Sequence, residues 1–538
     1  MSTVDTGRPR PLLVGILLLT ALTLLACGPA RPDGAEAPAG PPRSGGTLRF
    51  AVSSDQGCLD PQQVTSNDTI YATRQLVDSL TDQDPATGRI TPWLATEWQT
   101  NPDATAYTFT LRPDVMFSDG SPLTADVVKA NFDRVGQLGA RATLAKGYLA
   151  GYQGSTVSSP TQLTVHFATP NVQFLQGTST VSLGLLSASA LARSDDERCR
   201  QTVGSGPFVL AGYVQNQTIT LHRRPGYHWG SPLWAHPGEA HLNAIEFQIV
   251  PESGVRTGSV ESGEVDAIGS IGQQDELPLT DAGIRLVDRA NPGLPFGISF
   301  NLSKPLVSDP SVRRALSLAI DRAEVASSVF TSHTKPATGV LASTTPDYTP
   351  AALGFDLQAA NATLDAAGWH SGPDGVRAKD GTKLSFSITF SANAATNKPA
   401  LELIQQQARR AGIELRIIQR PISDLPQIQT SGDFEALWGN ITRADPDILR
   451  TYFFSGGANY YRLPPGPLDI PLTGQASATD PNRRAQLVAQ AQQLLLTDYT
   501  TVPVVELSTV LGVAPGVQGI RFDASSRVTL SDVWKAQD

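Results

Sequence analysis

Residues 383–418 constrain the fold of this chain more than any other stretch. "KLSFSITF" (Lys383 to Phe390) reads as a strand. A helical pattern follows from Pro399 through Leu401, Ile404, Ala408 and Ala411, and stops at Gly412. "IELRII" (Ile413 to Ile418) is a second strand. Strand, helix and strand with short joints make a βαβ unit, which is how two strands come to lie parallel. The spacing therefore predicts an α/β fold with a parallel sheet in the second half.

Other elements carry their own start and stop signals. Asp309-Pro310 sets an N-cap before a proline at the first helical position. Val312, Ala315, Leu316, Ala319 and Ile320 then share one apolar face, while Arg313 and Arg314 fall on the polar face and are expected in solvent. Asp356 caps a helix through Leu357, Ala360, Leu364 and Ala367, and Gly368 ends it. Asp480-Pro481 opens another, with Leu487, Val488, Ala491 and Leu495. In the first half, Gly45 to Ser53 reads as a strand, and Ala72 to Leu80 has helical spacing. Tyr107, Phe109 and Leu111 alternate with polar residues, so one face of that strand is buried. Asp119 and Gly120 follow as turn chemistry. Thr124 then caps a helix with Asp126 in its first turn. Asp119 is thereby explained as a turn residue, with no catalytic role required.

The first residues read as a targeting segment. Arg8 and Arg10 precede an apolar run, Leu12 to Ala26, and Cys27 follows at once. A membrane-spanning helix needs roughly 20 apolar residues, so this shorter run fits the core of a signal peptide. Leu24-Leu25-Ala26-Cys27 resembles a bacterial lipobox, in which the cysteine is lipidated and becomes the new N-terminus. Two acyl chains give stable anchoring where one is marginal. An ordinary signal peptide with an incidental cysteine is the alternative. Residues 28–44, "GPARPDGAEAPAGPPRS", contain no large apolar side chain and cannot pack a core. They read as a disordered tether.

About 490 residues remain, enough for two to four domains. The formal charge of −9 argues against a nucleic-acid partner, which requires a clustered basic surface. Besides Cys27 the chain holds only Cys58 and Cys199. In an exported chain they are a candidate disulfide, with two buried free thiols as the alternative. The sequence lacks G-x-S-x-G, H-E-x-x-H and a phosphate-binding Gly-Lys. The Gly-rich stretch Gly204 to Phe208 precedes a strand, so it makes a poor phosphate cradle. His222, His228, His236 and His241 lie scattered in a Pro/Gly-rich loop without metal-ligand spacing. No catalytic residue, metal site or cofactor is assigned.

Six stretches in order resemble the family 5 extracellular solute-binding proteins, the receptors of bacterial ABC importers for peptides, nickel and oligosaccharides. They are Pro92 to Val128, "GSGPFVL" (Gly204 to Leu210), "ESGEVDAIG" (Glu261 to Gly269), Phe300 to Arg322, "FDLQAANATLDAAGW" and "DPDILRTYFFS" (Asp445 to Ser455). The resemblance covers Gly45 to Asp538. It implies an α/β, two-lobe, periplasmic-binding-protein-like fold (class II, Venus-flytrap) with an extra domain inserted in lobe I. Lobe I would combine residues 45–80, 199–288 and 506–538. The extra domain would take 81–198, and lobe II 289–505.

The family places the ligand near the loop after the first strand, here Ser54, Asp55 and Gln56. It also places it near the segment before Asp445-Pro446, with Trp438, Asn440 and Arg443, and around Tyr348. Peptide receptors of the family carry an Asp a few residues before the Asp-Pro, which holds the peptide amine. This chain has Asn440, Thr442 and Arg443 there and no acid. Arg443 would hold a carboxylate or other anion, or else pair with Asp445 or Asp447. Trp438 would stack on the ligand or belong to the core. The resemblance implies a monomer, lipid-anchored on the outer face of the cytoplasmic membrane, that passes a small peptide or peptide-like solute to ABC permease subunits and their ATPases. A receptor for a metal chelate or modified natural product, a sensor without transport and a secreted hydrolase are the alternatives.

Overall fold

The computed structural model describes residues 40–391, 394–421 and 424–536. The expected signal segment, Cys27 and the tether through residue 39 lie outside the described residues. Among those described, no helix is long and apolar enough to cross a membrane.

Three main sheets organise the described chain. The lobe I sheet has seven strands in the order Arg285–Ala290, Ser508–Val513, Ala267–Ile268, Thr47–Val52, Ala244–Ile249, Thr218–Arg223, Phe208–Val214. The first strand runs parallel to Ala244–Ile249 and Ala267–Ile268. The lobe II sheet has six, in the order Lys335–Pro336, Thr501–Glu506, Gly293–Phe300, Ala436–Thr442, Ser385–Ser391, Glu414–Arg420. A four-stranded antiparallel sheet, Ala95–Thr100, Ala106–Leu111, Gln162–Phe167, Tyr152–Ser159, forms the extra domain.

The βαβ unit is present. Ser385–Ser391 pairs in parallel with Glu414–Arg420, Phe386 opposite Leu415, and the helix Asn397–Arg410 makes the crossover. Its apolar face, with Leu401, Ile404 and Ala408, packs on Phe386 and Ile388 in the lobe II core. Lobe I has a separate core around Phe50, Ile245 and Phe247. The extra domain builds its own around Tyr107, Phe109, Phe132 and Phe174. The Asp309 and Asp480 caps form as their sequences require: each side chain accepts a backbone N–H, from Ser311 at 2.8 Å and Arg483 at 2.7 Å.

The chain passes between the two large sheets twice. The lobe I strand continues to Ala290 before crossing at 291–292, and the return strand continues to Glu506 before crossing at Leu507. These points lie one or two residues beyond the expected 288/289 and 505/506 limits. The other expected limits are blurred by packing. Val181, Leu186 and Ala190, numbered with the extra domain, sit in the lobe I core. Tyr227 and Trp229, numbered with lobe I, sit in the core of the extra domain.

Two expectations fail. The helix expected over 72–80 runs instead over Asn67–Arg74. Tertiary partners capture the rest. The Gln75 side chain bonds Tyr71 O, Val528 O and the Leu530 N–H, and Leu76 O accepts from Gly206 N at 3.0 Å. That last bond also gives the Gly204 to Phe208 stretch a structural role. The second failure is Arg313. Arg314 is exposed, but Arg313 is buried. Its guanidinium donates to the carbonyls of Val307, Ser308, Asp498 and Tyr499 at 2.7–3.2 Å. The helix thus spends one position of its polar face on closing two chain ends.

Asp78 lies where the chain leaves lobe I, fully buried. It accepts from Tyr227 Oη (3.2 Å) and Trp229 Nε1 (3.0 Å). Burial pushes its carboxyl up to about 6, with Arg74, Ser205, Trp229 and Tyr227 opposing. A carboxyl raised in the folded state holds its proton more tightly there than in the unfolded chain. Its contribution to stability is therefore full below about pH 4 and is lost as pH rises to about 6. Asp78→Asn should remove that slope, up to about 3 kcal/mol across the window, as read from urea midpoints between pH 4 and 7; an unchanged slope would refute the assignment.

Cys58 and Cys199 are joined in a disulfide with Cα atoms 4.0 Å apart and a sequence separation of 141. Thiol labelling of unreduced, unfolded protein lacking Cys27 should find no free thiol. Replacing both cysteines by Ala should cost about 2–5 kcal/mol of stability.

Candidate functional site

Both large sheets turn the carboxyl ends of their parallel strands toward one cleft, the usual place for a ligand in an open α/β sheet. The cavity is about 560 Å³. Lobe I lines it with Ser53, Asp68, Tyr71, Arg256 and Ser270. The crossings add Asn291 and Leu507, and lobe II adds Phe330, Thr331 and Thr396.

Asp68 organises the lobe I wall. It stands in the first turn of the Asn67–Arg74 helix, where an acid complements the helix dipole. Its Oδ2 accepts from Ser53 N (3.1 Å), Ser53 Oγ (2.6 Å), Ser54 N (3.0 Å) and Ser54 Oγ (3.1 Å). This clamps the end of the first strand onto the helix. Burial first, and the Asp68 charge second, push the Tyr71 hydroxyl well above its ordinary range. Arg256 is buried beside them, and its donors go to the carbonyls of Val250, Pro251, Gly269 and Ser270. Burial lowers its guanidinium, with Asp68 opposing.

Near the crossings the lobes touch directly. Gln273 Nε2 donates to Ser327 O (2.8 Å), the Glu276 carboxylate accepts the Ser332 N–H (3.0 Å), and His333 Nδ1 lies 3.1 Å from Asp288.

The expected site residues divide. Ser54 is held by Asp68. Asp55 accepts from Tyr213 Oη (2.7 Å), Asn216 N (3.0 Å) and Gly57 N (2.8 Å). Gln56 is bonded to Thr65 N, Ser66 N and Gln63 O. These three side chains build the loop, and their neighbours Ser53 and Asp68 line the cleft. Tyr348 is bonded through its hydroxyl to Thr338 Oγ1 (2.6 Å) and lies outside the cleft lining. Trp438 donates to Asn397 Oδ1 (3.1 Å) and stacks on Phe296 with ring centroids 5.2 Å apart. Trp438 and Asn440 also edge a smaller slot in lobe II, about 90 Å³.

Arg443 pairs with neither candidate acid. Asp445 holds Arg484 through two bonds of 2.6 and 3.0 Å, and Asp447 holds Arg450 through two of 2.7 Å. Arg443 instead reaches the extra domain. Its Nη1 donates to Gln173 Oε1 (3.2 Å) and Thr451 Oγ1 (3.3 Å), and its guanidinium lies over the Tyr148 ring at 4.8 Å.

Elsewhere, the Asp119 carboxylate accepts from Ser121 N (3.0 Å), Ser121 Oγ (2.6 Å) and Ser189 Oγ (2.6 Å). Against the desolvation that would raise it, these bonds hold it down at about 2. An acid that low stays ionised and serves the turn. His236 and His241 stack on each other at 5.0 Å. Among the described residues no group of three or more His, Cys, Asp or Glu is placed to hold a metal.

Sequence reasoning missed Asp68, Arg256 and Gly439, which lines the lobe II slot. Asp68 carried a signal, an acid at a helix start after Ser66. Gly439 carried another, a glycine inside a strand pattern. Arg256 carried none.

The family model for bacterial extracellular solute-binding proteins, family 5 Middle, matches residues 89–461. The probable D,D-dipeptide-binding periplasmic protein DdpA of Escherichia coli (strain K12) is 24% identical over 498 residues, 88% of this chain and 91% of that protein. The nickel-binding periplasmic protein of the same strain is 27% identical over 402 residues, 71% of this chain and 74% of that one. The crystal structure of NikA from Brucella suis in complex with Fe(III)-EDTA superposes with a TM-score of 0.80 at 23% identity, covering 91% of this chain and all of that one. The chain belongs to the family 5 bacterial extracellular solute-binding proteins, a family of binding proteins serving ABC importers, and it has their two-lobe fold.

Asp68→Ala should strip four donors of their acceptor. Stability should fall by about 2–4 kcal/mol in urea titration, roughly 0.5–1 kcal/mol for each of the four part-buried hydrogen bonds lost. A loss under 1 kcal/mol would contradict the clamp.

Proposed function

We propose that this chain captures a peptide or peptide-like solute between its lobes and delivers it, chemically unchanged, to the permease subunits of an ABC importer. Cys27 is the lipid anchor on the outer face of the cytoplasmic membrane, residues 28–44 are the tether, and the receptor acts as a monomer. The lobes divide near 291–292 and 507. The observation that carries the reading is the cleft itself, lined from both lobes and from both chain crossings. A solute that touches both walls has its full binding free energy only in the closed form, so it shifts the open–closed equilibrium toward closure. The permease partner reads the closed form.

A chelate or modified natural product is the second reading. Asn440, Thr442 and Arg443 stand where peptide receptors of the family carry an acid, and a cation there favours a carboxylate-bearing solute. The similar structure of NikA is a complex with Fe(III)-EDTA.

Native mass spectrometry of the purified protein should reveal a retained solute. Adding that solute to stripped protein should shrink the radius of gyration measured by small-angle scattering, and the solute should be recovered intact. Superimposable scattering profiles, or a chemically altered solute, would overturn this function.

A further inference from the structure

His333 stands at the rim where the lobes meet. It belongs to lobe II, and Thr331 and Thr334 on either side of it line the cleft. Ser508 Oγ donates to its carbonyl at 2.8 Å, which sets the residue beside the returning chain. The half-buried ring crosses to lobe I and lies between two acids. Nδ1 is 3.1 Å from Asp288 on the strand Arg285–Ala290, and Nε2 is 3.8 Å from Glu276 on the helix Gln273–Asp281. Gln273, which also lines the cleft, donates to Ser327 O beside this bracket. These contacts therefore form on the cleft side of the chain crossings, and opening the cleft draws the ring away from both acids.

A neutral imidazole has one donor nitrogen and one acceptor. Whichever tautomer it takes, one of the two acids then faces a lone pair. The imidazolium donates from both nitrogens, so the bracket is complete only with the proton bound. The other charged groups of the surrounding elements are engaged elsewhere. On the lobe I helix, Asp275 accepts from Ser253 Oγ and Gly272 N, and Asp281 ends the helix in solvent. On the lobe I strand, Arg289 donates to Pro85 O and Ser526 Oγ, and Arg285 to Val517 O. Across lobe II, Glu506 holds Thr338 and Ser343, Arg322 donates to Pro503 O, and Glu324 accepts from Gln407. Lys335, two residues along, is exposed, where solvent and salt screen its charge.

We propose that His333 makes solute capture proton-linked: its protonation latches the lobes closed, so the receptor holds its solute more tightly in mildly acidic surroundings. This rests on the closing-cleft function proposed above and adds its regulation. The closed form, with the ring between two acids, binds the proton more tightly than the open form, with the ring in water. Closure is therefore favoured most at low pH. It loses that favour as pH rises through the range, about pH 5 to 8, in which histidine gives up its charge. By reciprocity, a solute that closes the lobes also draws a proton onto His333.

Pulsed electron–electron double resonance on the full-length protein in detergent reads closure without any solute. Spin labels sit on Val255→Cys in lobe I and Lys398→Cys in lobe II, both exposed positions. In protein stripped of solute, the closed-to-open ratio should rise about three- to tenfold from pH 8 to pH 5.5, the size expected of two part-exposed ion pairs. His333→Gln should remove that rise, and Asp288→Asn should reduce it. His333→Lys, whose charge persists, should hold the ratio at its acidic level at both pH values, with melting temperature as the folding control. A ratio that does not move with pH, or a rise that survives His333→Gln, overturns the proposal. The solute retained on purification then separates the two claims. If adding it still shortens the label distance, the receptor function stands; if it does not, both fall.

Discussion

Two short crossings of the chain, tied to each other, govern what this molecule can do. Asn291 N donates to Leu507 O at 2.7 Å, and Thr509 Oγ1 donates to Asn291 Oδ1 at 2.8 Å. The outgoing and returning chains therefore act as one narrow strap between two sheets with separate cores. Gly293 begins the lobe II strand at φ +106°, and a Cβ there would sit 2.1 Å from Ile441 O. Only glycine allows the strap to enter the sheet that closely. Because the strap joins both sheets at their carboxyl edges, any rotation about it opens or closes the same cleft.

The fold uses buried arginines to finish loose chain ends around this frame. Arg313 caps carbonyls at 307–308 and 498–499. Arg322 donates to Pro503 O (2.8 Å) and Ser317 O (3.1 Å), and burial lowers its guanidinium to about 10, with Tyr499 opposing. Arg256 does the same for the loops after two lobe I strands. In each case a planar fork satisfies several carbonyls that no regular element reaches. Carbonyls suffice because the guanidinium shares its charge over several partial negative charges.

Helices with capped starts and one apolar face were legible, as at Asp309-Pro310 and Asp480-Pro481, because cap and spacing are local. So was the βαβ unit, whose parallel register follows from chain order. The two-lobe arrangement came from family resemblance rather than from spacing. The Ala72 to Leu80 helix failed because Gln75 and Leu76 find partners more than a hundred residues away. The lobe I wall failed for the same reason: Ser53 and Ser270, 3.2 Å apart through their hydroxyls, are 217 residues apart in sequence. Ser54, Asp55 and Gln56 lay in the right loop, but whether a polar side chain faces solute or braces its own loop depends on such distant partners.

The segment before Asp445 shows how this chain departs from a shared frame. Asp445 and Asp447 are each spoken for by an arginine on a neighbouring helix or turn, and these pairs hold the end of the strand in place. With both acids so engaged, Arg443 makes no ion pair among the described residues, and it leans on a tyrosine ring and two neutral oxygens. Keeping a cation there carries a desolvation cost that those contacts only partly offset.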